Sequence, residues 1–117
     1  MNEIEKNLEN LGITLDAGPE PMANYVSVQK AGDIWFFSGA GPFENGKPAV
    51  FGRLGENMTT EEGYDAARLA GINLLAILKR ELGGDWNRLE QIIKIQGFVN
   101  SASDYFEQPA VINGVSD

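Results

Sequence analysis

The sequence predicts one mixed domain in which helices cover a β-sheet. Three stretches carry that prediction: two short apolar runs joined at Ala31-Gly32, a long amphipathic run with helix signals at both ends, and the β-branched run Ile92 to Val99. A chain of 117 residues suffices for one core, and 43% apolar with 22% charged residues is the composition of a soluble globular protein.

Taken in order, Ile4, Leu8 and Leu11 recur at helical spacing up to Gly12, which predicts a short helix that must dock on something to persist. Thr14 to Asn24, with Gly18, Pro19 and Pro21, predicts an extended connection. Tyr25 to Gln29 and Asp33 to Ser38 predict a hairpin, Glu44-Asn45-Gly46-Lys47 a second turn, and Ala49 to Arg53 a short strand. Thr59-x-x-Glu62 has the form of a capping box and Gly83-Gly84 that of a helix stop. Between them Ala67, Ala70 and Gly71 are small enough for the helix to lie close on a sheet. With Ile92 to Val99 after it, the order strand, helix, strand predicts a parallel, right-handed crossover. A last helix follows, capped by Ser103 or Asp104, with Pro109 in its first turns and Val111, Ile112 and Val115 inward.

The hairpin has two apolar faces, because Ile34 and Phe36 point one way and Trp35 and Phe37 the other. One long helix covers one face. Burying Trp35 and Phe37 is worth about 2 kcal/mol each, so a second layer is expected over them. A neighbouring subunit is the expected cover, and the N-terminal helix with the proline segment is the alternative.

Composition excludes several chemistries. The formal charge of -8 disfavours polyanions, and nucleic acid with them. With no cysteine and no histidine there is no thiolate, Ser-His pair or imidazole base, and the common zinc ligand sets are missing. No metal or other cofactor is expected. The acidic, amphipathic start is unlike a signal peptide and no run reaches membrane-spanning length, so the expected location is the cytoplasm and no membrane partner is expected.

"NYVSVQKAGDIWFFSGAGP", "TTEEGYDAARLAGINLLAILKRELGG" and "QIIKIQGFVNSASDYFEQPAVINGVSD", in that order and spacing, resemble the RidA/YjgF family, in its longer branch with an N-terminal helix. The resemblance covers the chain from about Ile4 to its last residue. It implies an α+β, chorismate-mutase-like fold, a mixed sheet with helices on one face, and a homotrimer with sheets around a central barrel and clefts between subunits. It also implies hydrolysis of reactive enamines and imines to a 2-oxo acid and ammonia, without a cofactor. Residues 1–117 read as a single RidA-like domain. The family's carboxylate-gripping arginine, a neighbouring backbone donor and a water-positioning glutamate lie on two strands beyond the second helix. This sequence stops before them, as a domain shortened at its C-terminus or a variant that has lost that half, and little catalysis is expected of it. The sheet edge beside the helix is then expected to be unpaired.

Carried over residue by residue, the resemblance assigns Tyr25 to a cleft tyrosine, Ser38-Gly39 to the strand-end backbone that holds the substrate, and Asn113 to a pocket asparagine. Independently, Gly39 and Gly41 let a ligand approach the strand end, where the Ser38 to Ala40 amides could hold a carboxylate or a water; a tight turn explains the same residues. The spacing is not a dinucleotide fingerprint, since Glu44 stands at its third glycine. Tyr25 could bond a substrate or present its ring to the core rim, and Asn113 could orient a substrate nitrogen or face solvent. Asn100 is a weaker wall candidate, and Arg53 and Arg68 are weak substitutes for the clamp, with Arg80 and Arg88 expected in water. Glu61 and Glu62 serve the helix dipole rather than acid-base chemistry. Two readings follow besides ribonuclease, which charge and the lack of histidine disfavour: an enamine/imine deaminase acting on a small carboxylate substrate, or a non-catalytic trimer that binds a small ligand.

Overall fold

The computed structural model describes residues 2–117. Helix α1 spans Glu3–Asn10, strands β1 and β2 Val28–Ala31 and Ile34–Phe37, strands β3 and β4 Phe43–Glu44 and Lys47–Pro48, helix α2 Thr60–Glu81, and helix α3 Gln108–Ser116. A single 3-10 turn, Trp86–Arg88, follows α2. The result is α+β, with two separate two-stranded antiparallel sheets, β1-β2 and β3-β4, in place of the one mixed sheet expected. Two compact units divide the chain: residues up to Ala40 with Ile72–Gln91, and Gly41–Gly71 with Ile92–Asp117.

In the first unit, Asn2 caps α1 by accepting from the Ile4 amide at 2.7 Å. The β1-β2 register pairs Val28 with Phe37 and Ala31 with Ile34, so the hairpin turns on Gly32-Asp33, one residue later than the sequence indicates. This register sends Trp35 and Phe37 onto a core of Leu78, Leu82 and Trp86, shared with Ile4, Leu8 and Leu15. The expectation that a neighbouring subunit covers Trp35 and Phe37 is therefore corrected. The last turns of α2, together with α1 and Leu15, cover them from within the chain. The face left bare is the opposite one, where Ile34 and Phe36 are 47% and 61% exposed.

Cations complete this packing. Lys30 Nζ stands 4.3 Å from the centre of the Trp35 ring and 3.9 Å from Glu81 Oε2, and Arg88 lies 5.5 Å over the same ring. Arg88 also donates to the Leu82 carbonyl at 3.2 Å. Arg80, expected in water, instead donates to the carbonyls of Ala17 at 3.0 Å and Pro19 at 3.4 Å, and pairs with Glu20 at 3.3 Å. It fastens the proline segment to the end of α2, where a cation also suits the helix dipole.

The second unit begins with the β3-β4 hairpin, whose Asn45 and Gly46 both have positive φ, 53° and 76°, as a two-residue type I′ turn requires. The first half of α2 belongs here. Its capping box is reciprocal: Thr59 N–H reaches Glu62 Oε1 at 3.0 Å and Glu62 N–H reaches Thr59 Oγ1 at 3.1 Å. The Thr59 amide, and then its hydroxyl bond, hold the Glu62 carboxyl below its ordinary pKa. Glu62's support is thus present above the ordinary carboxylate pKa and lost as pH falls through the lowered folded value.

The small residues of α2 receive helix α3 rather than the sheet expected against them. A Cβ at Gly63 would stand 3.1 Å from Val111 Cγ2, and one at Gly71 would stand 3.2 Å from Val115 Cγ1. Neither Ser103 nor Asp104 caps α3, which starts later with Glu107 at its N-cap and Pro109 in its first turn. Glu107 gives no capping bond because its carboxylate accepts from Thr60 Oγ1 at 3.0 Å, and that hydroxyl meets the Tyr105 hydroxyl at 2.7 Å. At the far end Tyr64 donates to Asp117 Oδ2 at 3.0 Å, a bond that raises the phenol's pKa.

The predicted crossover is not present. Ala49 to Arg53 and Ile92 to Val99 form no strand: the Ala49 amide donates to the Pro42 carbonyl at 2.9 Å, and the parallel pairing is reduced to one bridge just past the two segments, Leu54 with Ser101. Leu54 N–H donates to Asn100 O at 2.9 Å and Leu54 O accepts from Ala102 N–H at 2.8 Å. Ile92, Ile93, Ile95 and Phe98 are exposed, Phe98 to 91%.

The α2-α3 approach gives a direct test. A Cβ on Gly114 would fall on the Tyr64 carbonyl oxygen and 3.0 Å from Ala67 Cβ. Gly114→Ala is expected to cost about 2 kcal/mol, read from its urea midpoint, through overpacking. An unchanged midpoint would show that the helices are not held this closely.

Candidate functional site

β2 ends at Phe37, and the chain leaves the sheet through Ser38, Gly39 and Ala40. Ser38 closes the ladder with two bonds to the neighbouring segment. Its amide donates to the Ser27 carbonyl at 2.9 Å, and its hydroxyl donates to the Val26 carbonyl. Beyond this point Gly39 turns away with φ of +116°, a value that L side chains rarely adopt. A Cβ there would meet nothing within 4 Å. Space in front of the strand end is open, and backbone geometry rather than crowding demands glycine.

The amides divide accordingly. Ser38's amide is spent on Ser27, which corrects the expectation that all three strand-end amides face a ligand. Those of Gly39 and Ala40 have no hydrogen-bond partner among the described residues. Two successive unpaired N–H groups beside open space can accept an anionic oxygen or a water, since a backbone donor without a partner seeks one.

Tyr25 adjoins Val26, the residue to which Ser38 is tied, and its side chain is exposed. The Met22 amide points to its hydroxyl at 3.5 Å, the limit of a hydrogen bond, so the phenol retains a proton to donate. The structure thus brings Tyr25, Ser38 and Gly39 to one end of the first hairpin. Asn113 lies on α3 in the second unit, exposed, with its backbone carbonyl accepting from the Asp117 amide at 2.8 Å.

Two of the weaker candidates, Asn100 and Arg53, make contacts within the fold. Asn100 Nδ2 donates to the Gly52 carbonyl at 3.2 Å beside the Leu54-Ser101 bridge. Arg53 pairs with Glu56 at 3.6 Å, three residues on. The Val26 carbonyl is a feature that the sequence reading missed. Its only signal was a serine at the residue where a hairpin strand ends, which is compatible with many roles. Among the described residues no group of three or more acidic, cysteine or histidine side chains is placed to hold a metal ion. No described helix is long and apolar enough to cross a membrane.

Known proteins share this architecture. Residues 5–117 match the profile of a family described as "YjgF/chorismate mutase-like, putative endoribonuclease". The Trypanosoma cruzi protein TCP17 is 36% identical over 114 residues, 97% of this chain and 71% of its own length. The chain belongs to the YjgF/chorismate mutase-like family. Among solved structures, a protein of unknown function from Agrobacterium tumefaciens is 40% identical with a TM-score of 0.87, over 97% of this chain and 69% of that one. A "putative endoribonuclease" from Shewanella oneidensis MR-1 is 33% identical with a TM-score of 0.92, over 98% and 76%.

Within this YjgF-type chain the geometry at Gly39 is open to a simple check. Gly39→Ala places its methyl in free space yet forces an L residue to a left-handed φ, so a loss of about 1 kcal/mol is expected in thermal or urea unfolding. Full stability in the alanine variant would mean that the strand end does not hold this conformation.

Proposed function

We propose that this chain carries the substrate-binding scaffold of an enamine/imine deaminase of the RidA type, which converts a small unsaturated amino acid to a 2-oxo acid and ammonia. Family membership supports the reading, and one observation carries it: the unpaired Gly39 and Ala40 amides beside open space, at the strand end to which the resemblance assigns the substrate. Their role is to hold the substrate carboxylate. The enamine carbon then takes a proton, water adds to the resulting imine carbon, and the carbinolamine expels ammonia to leave the 2-oxo acid. Donors fixed in advance stabilise charge as it develops, because they need no reorganisation during the reaction. Tyr25, with its phenolic proton uncommitted, is assigned to orient the substrate or the water at the same end of the hairpin. Asn113 remains a proposed substrate contact on the strength of the resemblance alone.

Ammonia release from freshly generated 2-aminoacrylate tests the assignment. A modest acceleration over the buffer rate is expected, and its loss in Gly39→Val, whose side chain cannot hold the left-handed φ and so displaces the strand-end amides. Binding of 2-oxobutanoate without any acceleration would replace the deaminase with the second reading, a non-catalytic ligand-binding protein. The endoribonuclease of the family description is a third activity. A formal charge of -8 repels RNA, and intact single-stranded RNA after incubation is expected.

The assembly we propose is a homotrimer. Its support in this chain is the exposed Ile34 and Phe36 face of the first hairpin, which an interface would cover. Light scattering is expected to give three times the 12.7 kDa chain mass, and Phe36→Glu to lower it with little loss of helical signal. A parent protein that runs as a monomer would refute the trimer.

A further inference from the structure

The amides of Gly39 and Ala40 stay unpaired just past the end of the β1-β2 ladder, where the Tyr25 to Ser27 segment leads into β1. Ladder pairing beyond Val28-Phe37 would next set Ser27 against Ser38 and Val26 against Gly39. The first of these pairs keeps one ladder bond, from the Ser38 amide to the Ser27 carbonyl at 2.9 Å. The second is a non-hydrogen-bonded pair, in which the Gly39 amide and the Val26 carbonyl of a regular ladder would both point away from the opposite strand, and the next bonding pair would be Tyr25 with Ala40. Instead the Val26 carbonyl is turned to the Ser38 hydroxyl and the Tyr25 amide to the Ala23 carbonyl, so that pair does not form.

We propose that the Ser38 side chain is a positioning residue: its hydroxyl occupies the Val26 carbonyl and so fixes where the chain leaves the ladder, keeping the Gly39 and Ala40 amides open to an anion. This rests on the carboxylate reading of the strand end and deepens it. Serine suits the task because its single hydroxyl proton is committed to Val26, so toward a ligand the oxygen is left with acceptor capacity only. It therefore repels a carboxylate rather than binding it, and the anion is directed to the amides. The bond ties the strand end to the segment that leads into the neighbouring strand, from the Ser38 side chain to a backbone carbonyl twelve residues earlier. Gly39 then makes the left-handed exit with φ of +116°. In the absence of the latch the Val26 carbonyl becomes a free acceptor next to two free donors, and the exit loses the contact that fixes it.

The test compares the parent with Ser38→Ala and Ser38→Thr by amide NMR, first without ligand and then with 2-oxobutanoate. Without ligand, Ser38→Ala is expected to change the exchange rates of the Gly39 and Ala40 amides several-fold while Ala31 and Ile34, at the other end of the hairpin, keep theirs. Ser38→Thr, which retains the hydroxyl, is expected to restore parental rates. With 2-oxobutanoate, the parent and the threonine variant are expected to show saturable shifts at Gly39 and Ala40, and the alanine variant a roughly tenfold weaker affinity, the loss of about one hydrogen bond. Gly39 and Ala40 exchange unchanged in Ser38→Ala, or a threonine variant that behaves as alanine does, would overturn the latch. No shift at Gly39 or Ala40 in the parent would instead refute the carboxylate reading, and the ligand-free comparison would still decide the latch.

Discussion

The packing of Trp35 and Phe37 on Leu78, Leu82 and Trp86 is the constraint on which the first unit depends. A strand shows its side chains to two faces in alternation, so fixing one pair inward fixes every other residue of the hairpin. Ile34 and Phe36 are turned outward by the same register, and Ser38 and Gly39 fall where the ladder runs out. Burying two aromatic rings partway contributes a few kcal/mol, comparable with a sizeable share of a small domain's whole stability. A one-residue slip would exchange the covered and bare faces and dismantle the strand end with them.

The second unit is ordered by a different device. Between α2 and α3 the small residues Gly63, Ala67, Gly71 and Gly114 let two backbones come close, with Val111 and Val115 seated on Gly63 and Gly71. Polar bonds then secure the ends, through Thr60, Tyr105 and Glu107 at one and Tyr64 with Asp117 at the other. The contrast matters for function. The hairpin end carrying the unpaired amides is anchored by aromatic burial, while the helix bearing Asn113 is held by close fit, so the two candidate regions answer to different substitutions.

Much of this was legible in the sequence where the signal is local. The capping box at Thr59 and Glu62, the paired glycines after α2, the turn at Asn45-Gly46 and the short helix from Ile4 are chemical statements about neighbouring residues, and each stands as read. The errors concern partners. Ile92 to Val99 has strand composition but a strand exists only through pairing, and composition says nothing of whether a partner is beside it. Of the two covers that the sequence allows for Trp35 and Phe37, a neighbouring subunit or the N-terminal helix with the proline segment, the second is present in part; Trp35-Phe37 and Ile34-Phe36 are equally apolar, and only the position of α1 and α2 separates them. At the candidate site the sequence pointed to Ser38 and Gly39. It could not tell that Ser38 spends both its amide and its hydroxyl within the hairpin, since that depends on where Val26 and Ser27 come to lie.

The claim at the centre is that bare amides at the end of an aromatic-anchored hairpin receive a carboxylate. A crystal structure of the protein soaked with a 2-oxo acid addresses it most directly. A carboxylate oxygen about 2.7–3.2 Å from the Gly39 or Ala40 nitrogen, with Ser38 still bonded to Val26, is the expected result. Ligand bound elsewhere, or those two amides engaged by the protein's own carbonyls, would contradict it.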